Sequence, residues 1–309
     1  IELSNICTKN CIYCGIRCGN PNVKRYQISR EEVLAEARWC WEQRYGSLVI
    51  QAGEREDKAW TDFITDLVVD IKNLSQGELG ITLSLGEQTE EVYRQWFEAG
   101  AHRYLLRIEE SNPELYKALH PAGHSFQKRL ECLRSLRKVG YQTGTGVMIG
   151  LPGQTAEHLA DDILFFYDED IDMIGMGPYL SHHDTPMGAH PEENRRNRLL
   201  IFRKSLAMIA AARIVCPKIN IASTTALQTI NPAGRIDGLR FGANVLMPQT
   251  TPPGFRRNYL LYDGKPGLDE NDLETRLNLE RQIESIGRRV SKNKWGDSLR
   301  FYEKHPHSP

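Results

Sequence analysis

The residues that most plainly announce chemistry are cysteines. The chain has seven, and Cys7, Cys11, Cys14 and Cys18 crowd into its first 18 residues. The first three follow a C-x3-C-x2-C spacing directly after an apolar opening, Ile1–Asn5, with Tyr13 just before the last. Three thiolates on one short loop can hold three irons of a [4Fe–4S] cluster. The fourth iron is then open to a small molecule, and the cluster can pass an electron to what binds there. The alternative is a structural zinc site completed from elsewhere. Zinc ribbons usually pair two C-x2-C units, and the sequence holds no second one. Cys18 as a ligand would fill the open position, so it reads as a free loop thiol. Cys40, Cys132 and Cys216 fall in helical segments and read as core residues. An odd, clustered set is unlike a disulfide scaffold and points to a reducing compartment.

Further candidates follow other apolar runs. In Gln51-Ala52-Gly53-Glu54 the glycine lets backbone approach a ligand and the carboxylate can accept from an ammonium. The same tetrapeptide also suits an ordinary strand-to-helix turn. Thr82 and Ser84 share one face of a strand, either for a polar ligand or satisfied by neighbouring strands. Arg103, Arg107 and Glu109 alternate onto one face, where charge is costly unless paired or ligand-bound. The glycine-rich stretch Gly144–Thr155 lacks the Gly-Lys-Ser/Thr end of a nucleotide-triphosphate loop. His182, His183 and Asp184 invite a metal reading, but adjacent histidines point apart, and a loop-ordering role is favoured. Thr224, Thr225 and Met247 follow two later strands, and Tyr259 and Tyr262 at i, i+3 either line a site or pack the core.

Positioning these residues falls to alternating strands and helices. Strands are expected at Ile1–Asn5, Ser47–Gln51, Gly80–Leu85, Arg103–Arg107, Thr143–Ile149, Met173–Gly177, Asn220–Ala222 and Asn244–Met247. Ser29 with Glu32 spells a capping box, and Thr89, Asn112, Ser125 and Thr155 are N-cap candidates. Trp60, Phe63, Ile64, Leu67, Val68 and Ile71 make a helical stripe. Two longer helices are expected over Leu199–Ile214 and Leu273–Ile286. Eight strand–loop–helix units predict an α/β fold, a complete (β/α)8 barrel with its chemistry on the loops after the strands. One domain over residues 1–309 is expected, with a helical extension from about residue 250. The net charge of −1 offers no general grip on nucleic acid or an anionic membrane. The chain opens on Ile-Glu-Leu without Met, so a preceding segment is expected to be missing, and a cytoplasmic location is expected.

Cys7, Cys11, Tyr13 and Cys14 together resemble the C-x3-C-x-Φ-C signature of the radical S-adenosylmethionine (SAM) enzymes. In that family the amino and carboxylate groups of SAM chelate the open iron, and one electron cleaves SAM to methionine and a 5′-deoxyadenosyl radical. Ser4-Asn5 and Cys14-Gly15-Ile16-Arg17 narrow the resemblance to the [FeFe]-hydrogenase maturase branch, close to biotin synthase and methylornithine synthase. It covers the chain from Ile1 to beyond Tyr262. The resemblance implies that Cys7, Cys11 and Cys14 carry the cluster. It implies that Tyr13, Gln51, Gly53, Glu54, Ser84, Glu109, Arg129 and Ile149 contact SAM. It implies a substrate chamber of Thr82, Arg103, Arg107, Thr224, Thr225, Met247, Tyr259 and Tyr262. The implied substrate is a cysteine-ligated iron carbonyl cyanide unit from a partner maturase, and the implied electron donor a flavodoxin or ferredoxin. Some members carry a second Fe–S cluster, which is not expected here because Gly264–Asn278 lacks cysteine. The extra strand cysteines of biotin synthase are absent from Leu48–Gln51, Gly80–Leu83 and Gln142–Thr145, which excludes sulfur insertion by that route. The rival readings are a paralogue with another substrate, a methylornithine-synthase-like mutase acting on a small amino acid, and a non-catalytic Fe–S or zinc scaffold.

Overall fold

A computed structural model describes residues 1–189, 197–269 and 272–305. Its centre is a parallel sheet of β1 (Glu2–Ser4), β2 (Ser47–Ala52), β3 (Gly80–Ser84), β4 (Arg103–Leu105), β5 (Gln142–Thr145), β6 (Met148–Ile149), β7 (Met173–Pro178) and β8 (Asn220–Ser223). Neighbours run β1-β2-β3-β4-β5-β7, with β6 and β8 both on β7. The crossovers are α1 (Arg30–Glu42), α2 (Lys58–Leu74), α3 (Glu90–Glu98), α4 (Pro113–Leu119), α5 (Phe126–Val139) and α6 (Ala156–Asp168), followed by a longer helix over Arg198–Val215.

Local sequence explains these elements. Ser29 and Glu32 form the reciprocal capping box, and Thr89, Asn112, Ser125 and Thr155 each accept from a first-turn amide. In α2, Trp60, Ile64, Leu67, Val68 and Ile71 are buried, each contributing about 1.5–3 kcal/mol by leaving water. That stripe, more than helix propensity, holds α2 on the sheet.

Three expected strands differ. The strand expected to reach Arg107 stops at Leu105 because Thr145 inserts its hydroxyl, donating to Leu106 O at 2.8 Å and accepting from Ile108 N–H at 3.1 Å. Glu109 follows in the left-handed region at φ 66°. The strand expected over Thr143–Ile149 is interrupted at Gly146-Val147, where Glu109 N–H donates to Gly146 O and Met148 N–H to Glu109 O, both at 2.9 Å. The eighth strand, Asn244–Met247, is reduced to a single bridge between Ala222 and Val245. Among the described residues no ladder joins it to β1, so the sheet does not close through backbone pairing. Pro248, Pro252 and Pro253 follow it and have no N–H to donate. Side chains bridge the gap instead. Glu2 N–H donates to Thr251 Oγ1 at 2.8 Å, Gln249 Nε2 donates to Glu2 Oε2 at 2.7 Å, and Lys265 pairs with Glu2.

The N-terminal end of the sheet is sealed by residues 295–304. Arg103 Nη2 donates to Trp295 O at 2.6 Å, and Asp297 accepts from Gln142 Nε2 at 2.8 Å. Asn220 Nδ2 reaches Gly296 O at 2.7 Å, and Trp295 stacks on His102 with ring centroids 4.3 Å apart. Ser298 then caps the helix Leu299–Lys304. No helix among the described residues is long and apolar enough to cross a membrane.

Candidate active site

The three-cysteine loop leaves the C-terminal end of β1 and is held from several sides. Asn5 Nδ2 donates to Lys24 O and Asn258 O, and the Arg25 guanidinium donates to the carbonyls of Asn5, Ile16 and Arg17 at 2.6–2.7 Å. Cys7 Sγ accepts from Glu54 N–H at 3.3 Å and Lys9 N–H at 3.4 Å. Gly53 makes this approach possible, since a Cβ there would stand 2.4 Å from Ile6 O and 2.7 Å from Cys7 Cβ. Cys7, Cys11 and Cys14 are free thiols; Cys18 is exposed, and Cys40, Cys132 and Cys216 are buried. Burial pushes the Cys11 thiol up to about 12, and burial likewise raises Cys7 and Cys14. Neighbouring thiol charge adds to each shift, so these groups ionise only against a cation. Among the described residues the three sulfurs do not gather within 4.8 Å of one another, as His182, His183 and Asp263 do. Ligands about 2.3 Å from a single zinc would have to. The donor set therefore suits a cluster, in which each thiolate takes its own iron.

Beside the loop lies a buried charge network. Glu54 Oε1 is 3.0 Å from Lys9 Nζ, and Glu54 Oε2 is 3.5 Å from Arg129 Nη2. Glu87 Oε1 is 2.9 Å from Arg129 Nε, and Glu87 Oε2 is 3.3 Å from Lys9 Nζ. Burial raises Glu54. Burial also opposes the charge on Glu87, but Arg129, Lys9 and Lys128 outweigh it and hold that carboxyl below its ordinary range. Glu54 Oε1 and Arg129 Nε are buried without an aligned hydrogen-bond partner. Each atom sits in an ion pair instead, with Lys9 and with Glu87, so the pocket sets a buried carboxylate beside a buried guanidinium, a pair that matches the ammonium and carboxylate of a zwitterion, the methionine end of SAM. Tyr13 completes this side. His120 Nδ1–H donates to Tyr116 O at 2.7 Å, which leaves Nε2 to accept from Tyr13 O–H at 3.1 Å. Burial lowers His120 to about 4, keeping it neutral.

The inner wall carries the remaining candidates. Arg107 Nε and Nη2 grip Glu109 at 2.8–3.0 Å, and Nη2 also donates to Val147 O. Thr225 Oγ1 is 3.0 Å from Tyr262 Oη, and Thr224 and Met247 are half-buried. Ser84 and Gln51 pair at the C-terminal end of β3 and β2, with Gln51 Nε2 donating to Glu2 Oε1 at 3.2 Å. Tyr259 is buried with Lys265 Nζ 5.3 Å over its ring, and Ile149 is fully buried, its carbonyl accepting from Tyr179 N–H. Two expected chamber residues are placed elsewhere. Arg103 opens β4 at the sealed end of the sheet, and Thr82 is its cross-strand partner, 1% exposed. Alternation along a strand says nothing of depth along it. His182 and His183 do not point apart as expected, since their rings stack with centroids 4.6 Å apart; His183 Nδ1 is 2.8 Å from Asp263 Oδ1 on a distant segment, and His182 Nδ1 accepts from Asp184 N–H within the loop. Lys9, Glu87, His120 and the Glu2–Lys265 pair were not anticipated as site residues. One signal for Glu87 was available, since Gly86-Glu87 after β3 repeats Gly53-Glu54 after β2.

The model of the Radical SAM superfamily matches residues 1–166. The [FeFe] hydrogenase maturase subunit HydE of Thermotoga maritima is 44% identical over 98% of this chain and 83% of its own length. The 3-methylornithine synthase of Methanosarcina barkeri is 25% identical over 94% of this chain and 76% of its own. The crystal structure of methylornithine synthase (PylB) has the same fold, with a TM-score of 0.78 at 21% identity over 95% of this chain and 82% of that one. The chain belongs to the radical SAM superfamily, and the thiol loop is where that family's signature falls. Membership carries the family's cofactors, a [4Fe–4S] cluster and SAM. Within the superfamily the chain is a HydE-like [FeFe]-hydrogenase maturase.

Proposed function

We propose that this chain carries out the radical step on a small cysteine-ligated iron carbonyl cyanide unit during assembly of the diiron site. The observation that carries the reading is a set of three free thiols at the C-terminal edge of the sheet beside a polar inner wall. When bound, the cluster and SAM supply one-electron reductive cleavage, the superfamily's source of a carbon radical. Cys7, Cys11 and Cys14 hold the cluster. Arg129 takes the carboxylate of SAM and Glu54 its ammonium, a role supported by their burial side by side next to the thiol loop. Tyr13, Gln51, Gly53, Ser84, Glu109 and Ile149 complete that pocket. Arg107, Thr224, Thr225, Met247, Tyr259 and Tyr262 face the substrate.

The same reading includes a complete barrel, supported by the Val245 bridge and the contacts of Glu2 with Gln249 and Thr251. It includes no second Fe–S cluster, supported by the lack of cysteine in Gly264–Asn278. It includes a flavodoxin or ferredoxin as donor, exchange of substrate with other maturases, and a cytoplasmic setting, supported by the free thiols of the cluster loop. The test adds the anaerobically reconstituted protein, SAM and reductant to a hydrogenase maturation mixture lacking only its HydE component. Restored hydrogen evolution is the expected result. No restoration, with 5′-deoxyadenosine still released, would move the substrate to another small molecule.

A further inference from the structure

Glu87 joins two parts of the site that the chain brings from far apart. Its side chain is 2% exposed. One oxygen is 3.3 Å from Lys9, which sits on the cluster loop between Cys7 and Cys11, and 3.5 Å from Lys128. The other is 2.9 Å from Arg129 Nε on α5. Glu54 meets the same two cations from the opposite side, at 3.0 Å from Lys9 and 3.5 Å from Arg129. The two carboxylates can lie together because Gly86 intervenes at φ +82°, where a Cβ would stand 2.1 Å from Glu54 Cγ.

This division of labour has a consequence. A buried carboxylate is retained only against cations, and here Glu87 takes up charge on Lys9 and Arg129 that Glu54 would otherwise share only with the half-exposed Glu56, 3.8 Å from Lys9. We propose that Glu87 is a positioning residue of the SAM pocket, clamping Arg129 to the cluster loop through Lys9. Glu54 and the open edge of the Arg129 guanidinium are thereby left for the ligand. The inference rests on the reading that Arg129 binds the carboxylate of SAM.

The test titrates SAM into the reconstituted, reduced protein, freezes each point at once and reads the change in the cluster's electron paramagnetic resonance signal, which reports binding rather than product. Glu87→Gln keeps the shape and removes the charge. It should retain the full iron content and weaken the Kd for SAM about tenfold. Because Glu87 acts through Arg129, combining Glu87→Gln with Arg129→Lys should weaken binding no further than Arg129→Lys alone. Wild-type affinity in Glu87→Gln, with Arg129→Lys still weakened, would overturn the clamp and leave the Arg129 reading intact. Wild-type affinity in both would overturn the Arg129 reading as well. If Glu87→Gln does not fold or hold iron, Glu87→Asp replaces it, keeping the charge on a shorter arm. An affinity loss of several-fold at full iron is expected there, and an unchanged Kd would overturn the proposal.

Discussion

Cys11 shows how a single side chain can be useless until its partner arrives. Burial pushes its thiol up to about 12, and Cys7 beside it adds to the shift, while Arg129 pulls the other way. At neutral pH the group is a buried, protonated sulfur, a poor nucleophile and an idle ligand. Iron reverses that balance by supplying the missing positive charge. Cys11→Ala should therefore abolish cluster assembly, read as lost iron content, and with it SAM-dependent release of 5′-deoxyadenosine. Cys18→Ala removes an exposed thiol outside this environment and should leave iron content unchanged. Equal iron in wild type and Cys11→Ala would dismiss the loop as the cluster site.

At the scale of elements, the crossover from β4 to α6 stores an acid–base strain. Asp162 on α6 is fully buried. Burial and then the charge of Glu110 raise its carboxyl to about 7, while Ser111 N–H donates to Oδ1 at 2.9 Å. Its other oxygen has no hydrogen-bond partner, so no donor there stabilises the charged form. Because the folded value lies above the unfolded 3.8, the native state binds the extra proton. Stability from this group is full below the unfolded value and is lost as pH rises towards 7. Asp162→Asn keeps the Ser111 bond and has no proton to lose. It should outlast wild type in denaturant titrations at pH 8 by no more than about 4 kcal/mol, and the gap should shrink as pH falls. A pH-independent gap would locate the cause elsewhere. The same region shows how far sequence reading carries. The cysteine spacing, the caps and the α2 stripe were legible because they are local patterns. Glu54 and Arg129 were legible through family resemblance. Arg103 was placed in the chamber because a period of two assigns a face, whereas depth depends on cross-strand register. Glu87 and His120 were missed because their roles arise only when β3, α4 and α5 meet the loop after β1. The bend that carries Arg107 and Glu109 depends on one hydroxyl, Thr145, thirty-odd residues away.

For the whole molecule, the two ends of the sheet have different tasks. One end carries the thiols, and the other is a floor built on Asp297, which serves Gln142, His102 and the buried Arg103. Burial lowers His102 to about 4, so at neutral pH Arg103 is the cation that Asp297 answers. Asp297→Ala should cost about 3–5 kcal/mol in urea unfolding by stranding that guanidinium, while iron content stays unchanged at the far end. Loss of iron without loss of stability would contradict this separation. The floor also has a place in time. Trp295 leaves the ribosome roughly 280 residues after Cys14, which at ~5–20 residues per second is a delay of about 14–56 s. For most of that interval the thiol loop also lacks its anchor at Asn258, and the interior has no floor throughout. Synthesis thus sets an order, in which the partners of the thiol loop as far as Asn258 are made before residues 295–304 can close the opposite end.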